Sequence, residues 1–121
     1  MDKLAILALL EAKPGKEQEI EEFLKSALEL AEAEVGTRSW YALKLSASRF
    51  AIFDTFADET GRDGHLSGEM AKALFAKAAE LFAKPPKTHQ RVFSQAKAGI
   101  AQLVEQLIVI EKAIFADFSY H

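Results

Sequence analysis

The sequence predicts one α+β domain with the element order β-α-β-β-α-β, followed by an extension. Short runs of apolar residues alternate with stretches of helical spacing, which is the pattern of a mixed fold. Two strand-like runs follow each other with only a short polar connection, which predicts a β-hairpin. The 121 residues, half of them hydrophobic, are enough for one domain and exclude a two-domain protein.

The first strand and the first helix occupy the N-terminal third. Leu4 to Ala12 is an unbroken apolar run that ends before Pro14, which is typical of a strand buried on both faces or at an interface. Helical spacing follows from Gly15 to Glu34 and stops at Gly36. The apolar stripe of this acidic helix is formed by Ile20, Phe23, Leu24, Ala27 and Ala31.

The hairpin is predicted from two runs in which side chains alternate. The first run extends from Arg38 to Leu45 and the second from Arg49 to Ala57, with small polar residues at 46–48. Alternation places Asp54 on the same face as Phe50, Ile52 and Phe56.

The second helix and the last strand complete the domain. A helical stripe extends from Glu69 to Ala83, and Pro85-Pro86 ends it. Residues from Thr88 to Ala96 are a candidate fourth strand. The whole order is the split βαβ arrangement of ferredoxin-like domains with an antiparallel sheet.

An extension follows this domain. We assign residues 1–97 to the domain and 98–121 to the extension, whose apolar spacing favours a helix over a pair of short strands. Because its apolar side chains would be costly to leave in water, we expect it to pack on the domain or on a dimer partner.

Composition excludes several classes of function. The 15 Lys and Arg are outnumbered by 18 Asp and Glu, so nucleic acid is not an expected partner. The absence of cysteine excludes disulfides, thiolate metal sites and a cysteine nucleophile. The three histidines show no metal-ligand spacing, and the N-terminal apolar run is too short to span a membrane. We therefore expect a soluble cytoplasmic protein.

Four side chains are candidates for chemistry. His65 can transfer protons or ligate haem, but a histidine in a turn can also be inert. One regular helix from Glu59 to Ala83 would point His65 away from the core, so a function for it requires a break near Ser67-Gly68.

The other three candidates lie on the hairpin. Asp54 stands among large apolar residues, as a useful acid or base does, although a salt bridge to Arg38, Arg49 or Lys44 is the structural alternative. Trp40 and Tyr41 can line a pocket for a planar ligand or can simply pack in the core.

Several segments resemble the antibiotic biosynthesis monooxygenase family. They are Gly36-Thr37, Trp40-Tyr41, the run from Arg49 to Glu59, Gly61-Arg62 and His65-Leu66-Ser67-Gly68. The similarity extends from about Lys3 to about Lys97. It implies a homodimer, in which two sheets form one α+β barrel, and a pocket between sheet and helices in each protomer.

The resemblance also implies an activity. It implies a monooxygenase that oxidises an aromatic or quinol-type small molecule with O2 and uses neither metal nor flavin. By position, Trp40 and Tyr41 line the substrate pocket, His65 is the base or proton shuttle, and Asp54 orients His65 or the substrate. Phe56 is a further candidate for substrate binding. Two other functions stay open, namely a non-catalytic small-molecule-binding or structural dimer and a haem-binding protein that uses His65.

The haem-degrading branch of the superfamily is a poorer match. That branch has an Asn on its first strand and a Trp near the end of its third. Here the first strand contains no Asn, and Phe56 occupies the position of the Trp.

Overall fold

Four strands and three helices form the described part of the chain, residues 2–93 of a computed structural model. In chain order they are β1 (Leu4–Glu11), α1 (Glu17–Glu32), β2 (Thr37–Lys44), β3 (Arg49–Phe56), α2 (Glu59–Leu66), α3 (Glu69–Leu81) and β4 (Lys87–Val92). The predicted extension, residues 98–121, and the end of the predicted fourth strand lie outside the described residues.

The strands form one antiparallel sheet in the order β2-β3-β1-β4. This arrangement confirms the predicted α+β, ferredoxin-like fold. Strand β1 lies in the centre, and its seven residues from Leu4 to Leu10 are all buried. The unbroken apolar run thus corresponds to a strand buried on both faces, as predicted. No helix within residues 2–93 is long and apolar enough to cross a membrane.

The second helical segment is divided into two helices. Helix α2 ends at Leu66 and α3 begins at Glu69, so the break falls at Ser67-Gly68, where a function for His65 requires it. Asp58 caps the start of α2, because its Oδ1 accepts a hydrogen bond from the backbone N–H of Gly61 at 2.9 Å.

The main core lies between the sheet and the helices. Its buried members come from β1, β3, α1 and α3, with Trp40 packed against them; they are Ala8, Leu10, Ala12, Ile20, Leu24, Phe50, Ile52, Leu74, Leu81 and Phe82. A second apolar cluster occupies the opposite face of the sheet. It contains Leu7, Leu9 and Ala51, with Leu43 and Leu45 packed against it.

We expect the opposite face of the sheet to form a homodimer interface. None of the helices α1 to α3 contributes to its apolar cluster, in which Leu7, Leu9 and Ala51 are buried and Leu43 and Leu45 are only partly buried. Contact with a second copy would bury the remaining apolar surface of Leu43 and Leu45. The chain should therefore have a dimeric mass at micromolar concentration in light scattering. Leu43→Asp should weaken the dimer, whereas Phe75→Asp, at an exposed position on α3, should not. A monomeric wild-type protein would contradict this prediction.

Candidate functional site

His65 lies between two carboxylates. Its Nδ1 is 2.7 Å from Oε2 of Glu34, and its Nε2 is 3.0 Å from Oδ2 of Asp54. The imidazole and both carboxylates are largely shielded from solvent, with side-chain exposures of 6% for His65, 2% for Asp54 and 16% for Glu34. We call these three residues the carboxylate–imidazole network.

Three separate parts of the fold meet in this network. Asp54 comes from the face of β3 that is covered by the helices, because alternation along the strand places it with Ile52 and Phe56. His65 comes from the last turn of α2 and is the buried residue of that helix. Glu34 comes from the turn between α1 and β2.

A contact between two glycines brings α2 close to the turn after α1. A Cβ built on Gly61 would lie 2.6 Å from the backbone oxygen of Gly36, and one built on Gly36 would lie 2.7 Å from Cα of Gly61. No side chain fits at either position without movement of the backbone. This close approach therefore holds Glu34 and His65 within hydrogen-bonding distance.

Glu34 is a residue of the site that was not predicted from the sequence, where it belongs only to an acidic helical segment. A signal was present, since the buried positions Ile20, Leu24, Ala27 and Ala31 continue in helical spacing to residue 34. A carboxylate at the end of a buried stripe needs partners. Oε2 of Glu34 has two, because it also accepts a hydrogen bond from Oγ1 of Thr37 at 2.9 Å.

The geometry favours a positively charged His65. A neutral imidazole has one N–H and can donate to only one carboxylate, whereas an imidazolium can donate to both. Burial by itself disfavours that charge. Asp54 and Glu34 outweigh this effect, because they accept hydrogen bonds from the imidazole and are negatively charged, and the pKa of His65 is raised above its ordinary value. Burial also raises the pKa of Asp54, and His65 offsets part of that rise.

Two of the three cations suggested as partners of Asp54 lie against other carboxylates. Arg38 lies 3.4 Å from Asp2, and Lys44 pairs with Glu21, so neither of these cations is the partner of Asp54. Its carboxylate instead lies against His65, which belongs to a helix. Sequence spacing within the sheet could not reveal this contact.

The ring of Phe56 packs against the imidazole of His65. It is fully buried, and its ring centroid lies 5.3 Å from that of His65 at an angle of 44°. The side chain therefore supports the imidazole, and it does not line either of the two cavities described next.

Trp40 and Tyr41 lie at a different place from the network. They line an apolar cavity of about 410 Å³ between α1 and β2, together with residues that include Leu24, Leu28 and Phe50. Neither Asp54 nor His65 lines this cavity. The connection between the two places is Trp40, whose backbone is paired with Asp54 across β2 and β3.

A second cavity opens beside the network itself. It has a volume of about 520 Å³ and is lined by Glu34 and His65, along with Thr37, Arg38, Asp58, Thr60 and several small residues. At one end of the network, Asp54 is buried; at the other end, Glu34 lines a polar cavity. Such an arrangement can hold a proton inside the protein and exchange it through Glu34.

Comparison with solved structures shows a relative with high sequence identity. It is the NE2512 protein of unknown function from Nitrosomonas europaea, which is 50% identical to the chain. The match covers 82% of this chain and 96% of that one, with a TM-score of 0.78. No family model and no curated protein matches the chain.

More distant structures share the fold. A "putative antibiotic biosynthesis monooxygenase" from Nitrosomonas europaea is 15% identical with a TM-score of 0.69, over 76% of this chain and 99% of that one. Another protein so named, from Caulobacter crescentus, is 16% identical with a TM-score of 0.67, over 78% and 92% of the two chains. The fold therefore matches the one that the sequence resemblance implies.

Proposed function

The chain belongs to the same family as the NE2512 protein of Nitrosomonas europaea, and within that family we propose that it is a monooxygenase. The proposed substrate is an aromatic or quinol-type small molecule, the oxidant is O2, and the reaction needs neither metal nor flavin. Its fold, shared with proteins named for this activity, is consistent with the proposal. The observation that carries it is the buried carboxylate–imidazole network.

The proposed reaction begins with the loss of a proton from a hydroxyl group of the substrate. Asp54 is the base, since burial raises its pKa and a higher pKa makes a carboxylate a stronger base. His65 holds a proton between Asp54 and Glu34 and serves as the shuttle that exchanges it with the polar cavity. The aromatic body occupies the cavity lined by Trp40 and Tyr41. Asp54 does not line that cavity, so the substrate hydroxyl reaches it only when the side chain of Trp40, its neighbour on β2, moves aside. Phe56 positions His65.

Electron transfer then follows from the substrate anion. The anion gives one electron to O2, and the resulting radical and superoxide recombine to a peroxide. The peroxide forms on a ring carbon that carries a hydrogen atom, and loss of water converts this carbon to a carbonyl. A phenol and O2 thus yield a quinone and water, and each product receives one of the two oxygen atoms of O2. The network accepts the first proton and returns it when water leaves.

Haem binding through His65 would require a change in the carboxylate–imidazole network. An axial histidine needs a nitrogen lone pair for the iron, whereas both nitrogens of His65 lie within 3.0 Å of a carboxylate. Haem ligation by His65 would therefore break one side of the network. A Soret shift on haem addition that is lost in His65→Ala would support that function over the proposed one.

Substitutions at Asp54 test the proposed activity. We expect Asp54→Asn to preserve the fold and to abolish O2 uptake with a panel of naphthols and quinols, because the amide cannot act as the base. Asp54→Ala should in addition lower the free energy of unfolding by about 1–3 kcal/mol, since it removes a partner from buried His65. Oxygen-electrode rates in the presence of a metal chelator and denaturant curves measure the two effects.

The exposed Lys72 on α3 provides a matched control. Lys72→Ala should leave O2 uptake at the wild-type rate. Binding of the panel without any O2 uptake by the wild type would indicate the non-catalytic binding protein. Equal rates in wild type and Asp54→Asn would exclude Asp54 as the base.

A further inference from the structure

The opposite face of the sheet is buried more deeply than the three helices explain. On this face, Leu7 is 4% exposed, Leu9 3%, Ala51 1% and Phe53 2%. Alternation along β1 and β3 places these four side chains on the side away from Asp54. An antiparallel sheet with helices on one face commonly leaves the other face to water. The burial of all four side chains therefore requires a cover.

The cover does not come from the helices of residues 2–93. His65 of α2 contacts Asp54 on the face that carries the main core, and the buried leucines of α1 and α3 belong to that core. The exposed fractions are those of a single copy of the chain, so a second copy does not supply the cover either. The chain beyond residue 93 is what remains.

The edge strand β4 is covered at one position on the same face. Five of its six residues are exposed, and His89 is the exception. His89 is paired with Leu7, so its side chain lies on the opposite face of the sheet. Its Nε2 is buried, and burial lowers the pKa of this imidazole. The cover therefore extends from β3 across β1 to β4.

The extension starts near this face and is long enough to cross it. The backbone N–H of Phe93 donates to the carbonyl oxygen of Lys3 at 3.0 Å, so the chain leaves the sheet beside the start of β1. Residues 98–121 would span about 36 Å even as one helix. Four strands are only about 15 Å wide. The segment can therefore return across the whole sheet.

The composition of the extension also fits the surface. Its apolar residues recur in helical spacing and include Leu103 and Leu107. It carries three carboxylates and a single lysine. On β4, the side chains on the opposite face are Lys87, His89 and Arg91. An apolar stripe thus meets the apolar centre of the face, and a negative segment meets its basic edge.

We infer that residues 98–121 fold back over the opposite face of the sheet and cover Leu7, Leu9 and Phe53. The extension is then an intramolecular partner of β1 and β3. Leu43 and Leu45 are only partly buried at the β2 side, where a second copy can still pack. The inference is independent of the proposed function, because the carboxylate–imidazole network lies on the other face.

The reactivity of a single thiol tests this inference on the full-length protein. The chain has no cysteine, so Ala51→Cys introduces one thiol on the opposite face. Ala8→Cys, in the main core on the other face, is the matched control. Both thiols should react slowly with a maleimide. Their rates should stay the same on dilution from micromolar to nanomolar protein, because the cover belongs to the same chain.

Substitutions in the extension should uncover one thiol and not the other. Leu103→Asp combined with Leu107→Asp should accelerate labelling of Ala51→Cys about a hundredfold, because two leucine side chains no longer stabilise the covered state. Labelling of Ala8→Cys should change much less. If the aspartates unfold the whole domain, Leu103→Ala combined with Leu107→Ala is the milder pair, and the same difference between the thiols is expected.

A charge-matched control and four contrary results complete the test. Gln102→Asp combined with Gln106→Asp adds the same charge at polar positions and should leave both rates unchanged. Rapid labelling of Ala51→Cys in the full-length protein would show a bare face, and protection lost on dilution would assign the cover to a second copy. Protection that survives both leucine pairs, or equal acceleration of both thiols by the alanine pair, would also overturn the inference.

Discussion

His65→Leu is expected to lower the free energy of unfolding by about 3–5 kcal/mol at pH 7, because removal of one partner leaves buried charge uncompensated. In the variant, Glu34 and Asp54 keep their buried positions and lose the imidazolium between them. Chemical denaturation followed by circular dichroism measures the change. Gln90→Leu is the control, since that residue is exposed on strand β4 at the sheet edge, and its effect should stay within about 0.5 kcal/mol. Equal losses in the two variants would contradict a charged network.

The same network gives the wild type a characteristic pH dependence. The folded-state pKa of His65 is raised above its unfolded value, which is about 6.5. Its contribution to stability is therefore complete below pH 6.5 and is lost as the pH rises through the higher folded-state pKa. The midpoint of chemical denaturation should therefore decrease as the pH is raised from 6 to 9.

A double variant reverses the sign of this effect. Glu34→Gln combined with Asp54→Asn removes both carboxylates, so burial alone acts on His65 and lowers its pKa. The stability of the double variant should then fall as the pH drops below 6.5 and should not fall as the pH rises above it. The same slope in both proteins would show that His65 is not the titrating group.

Gly61→Ala is the second substitution with a large expected effect. The added Cβ would lie 2.6 Å from the backbone oxygen of Gly36, so the turn after α1 must move away from α2. Overpacking of this kind costs about 1–3 kcal/mol. Because the turn carries Glu34, the movement should also weaken its contact with His65 and bring the pKa of His65 down.

Gly64→Ala is the matched control in the same helix. A Cβ at Gly64 meets nothing within 4 Å, and alanine favours a helix over glycine by about 0.5–1 kcal/mol. This variant should be as stable as the wild type or more stable, with an unchanged pKa of His65. Thermal melts and NMR titration of His65 compare the two variants. A Gly61→Ala protein with wild-type stability would show that the glycine contact does not position the network.

Much of the fold was accessible from the sequence because its signals are local. The apolar run in β1, the alternation in β2 and β3 and the break at Ser67-Gly68 each depend on neighbouring residues. Asp54 and His65 could be singled out by residue type and surroundings. Their contact with each other could not, since it joins a strand to a helix.

The remaining parts of the site depend on tertiary packing. Glu34 reaches His65 only because Gly36 and Gly61 touch, and this approach has no counterpart in the spacing of either segment. Likewise, Trp40 lines a cavity that neither Asp54 nor His65 reaches, although its backbone is paired with Asp54. The division of the predicted pocket into two cavities follows from the packing of α1 and α2 on the sheet.

The protonation state of His65 at neutral pH is the most direct test of the central claim, that a charged imidazole lies between two buried carboxylates. Long-range proton–nitrogen NMR spectra of ¹⁵N-histidine-labelled protein distinguish a protonated ring nitrogen from a bare one. At pH 7 both nitrogens of His65 should be protonated, and the ring should lose its proton only at a pH above the ordinary value of 6.5. A neutral ring with one bare nitrogen at pH 7 would contradict the account.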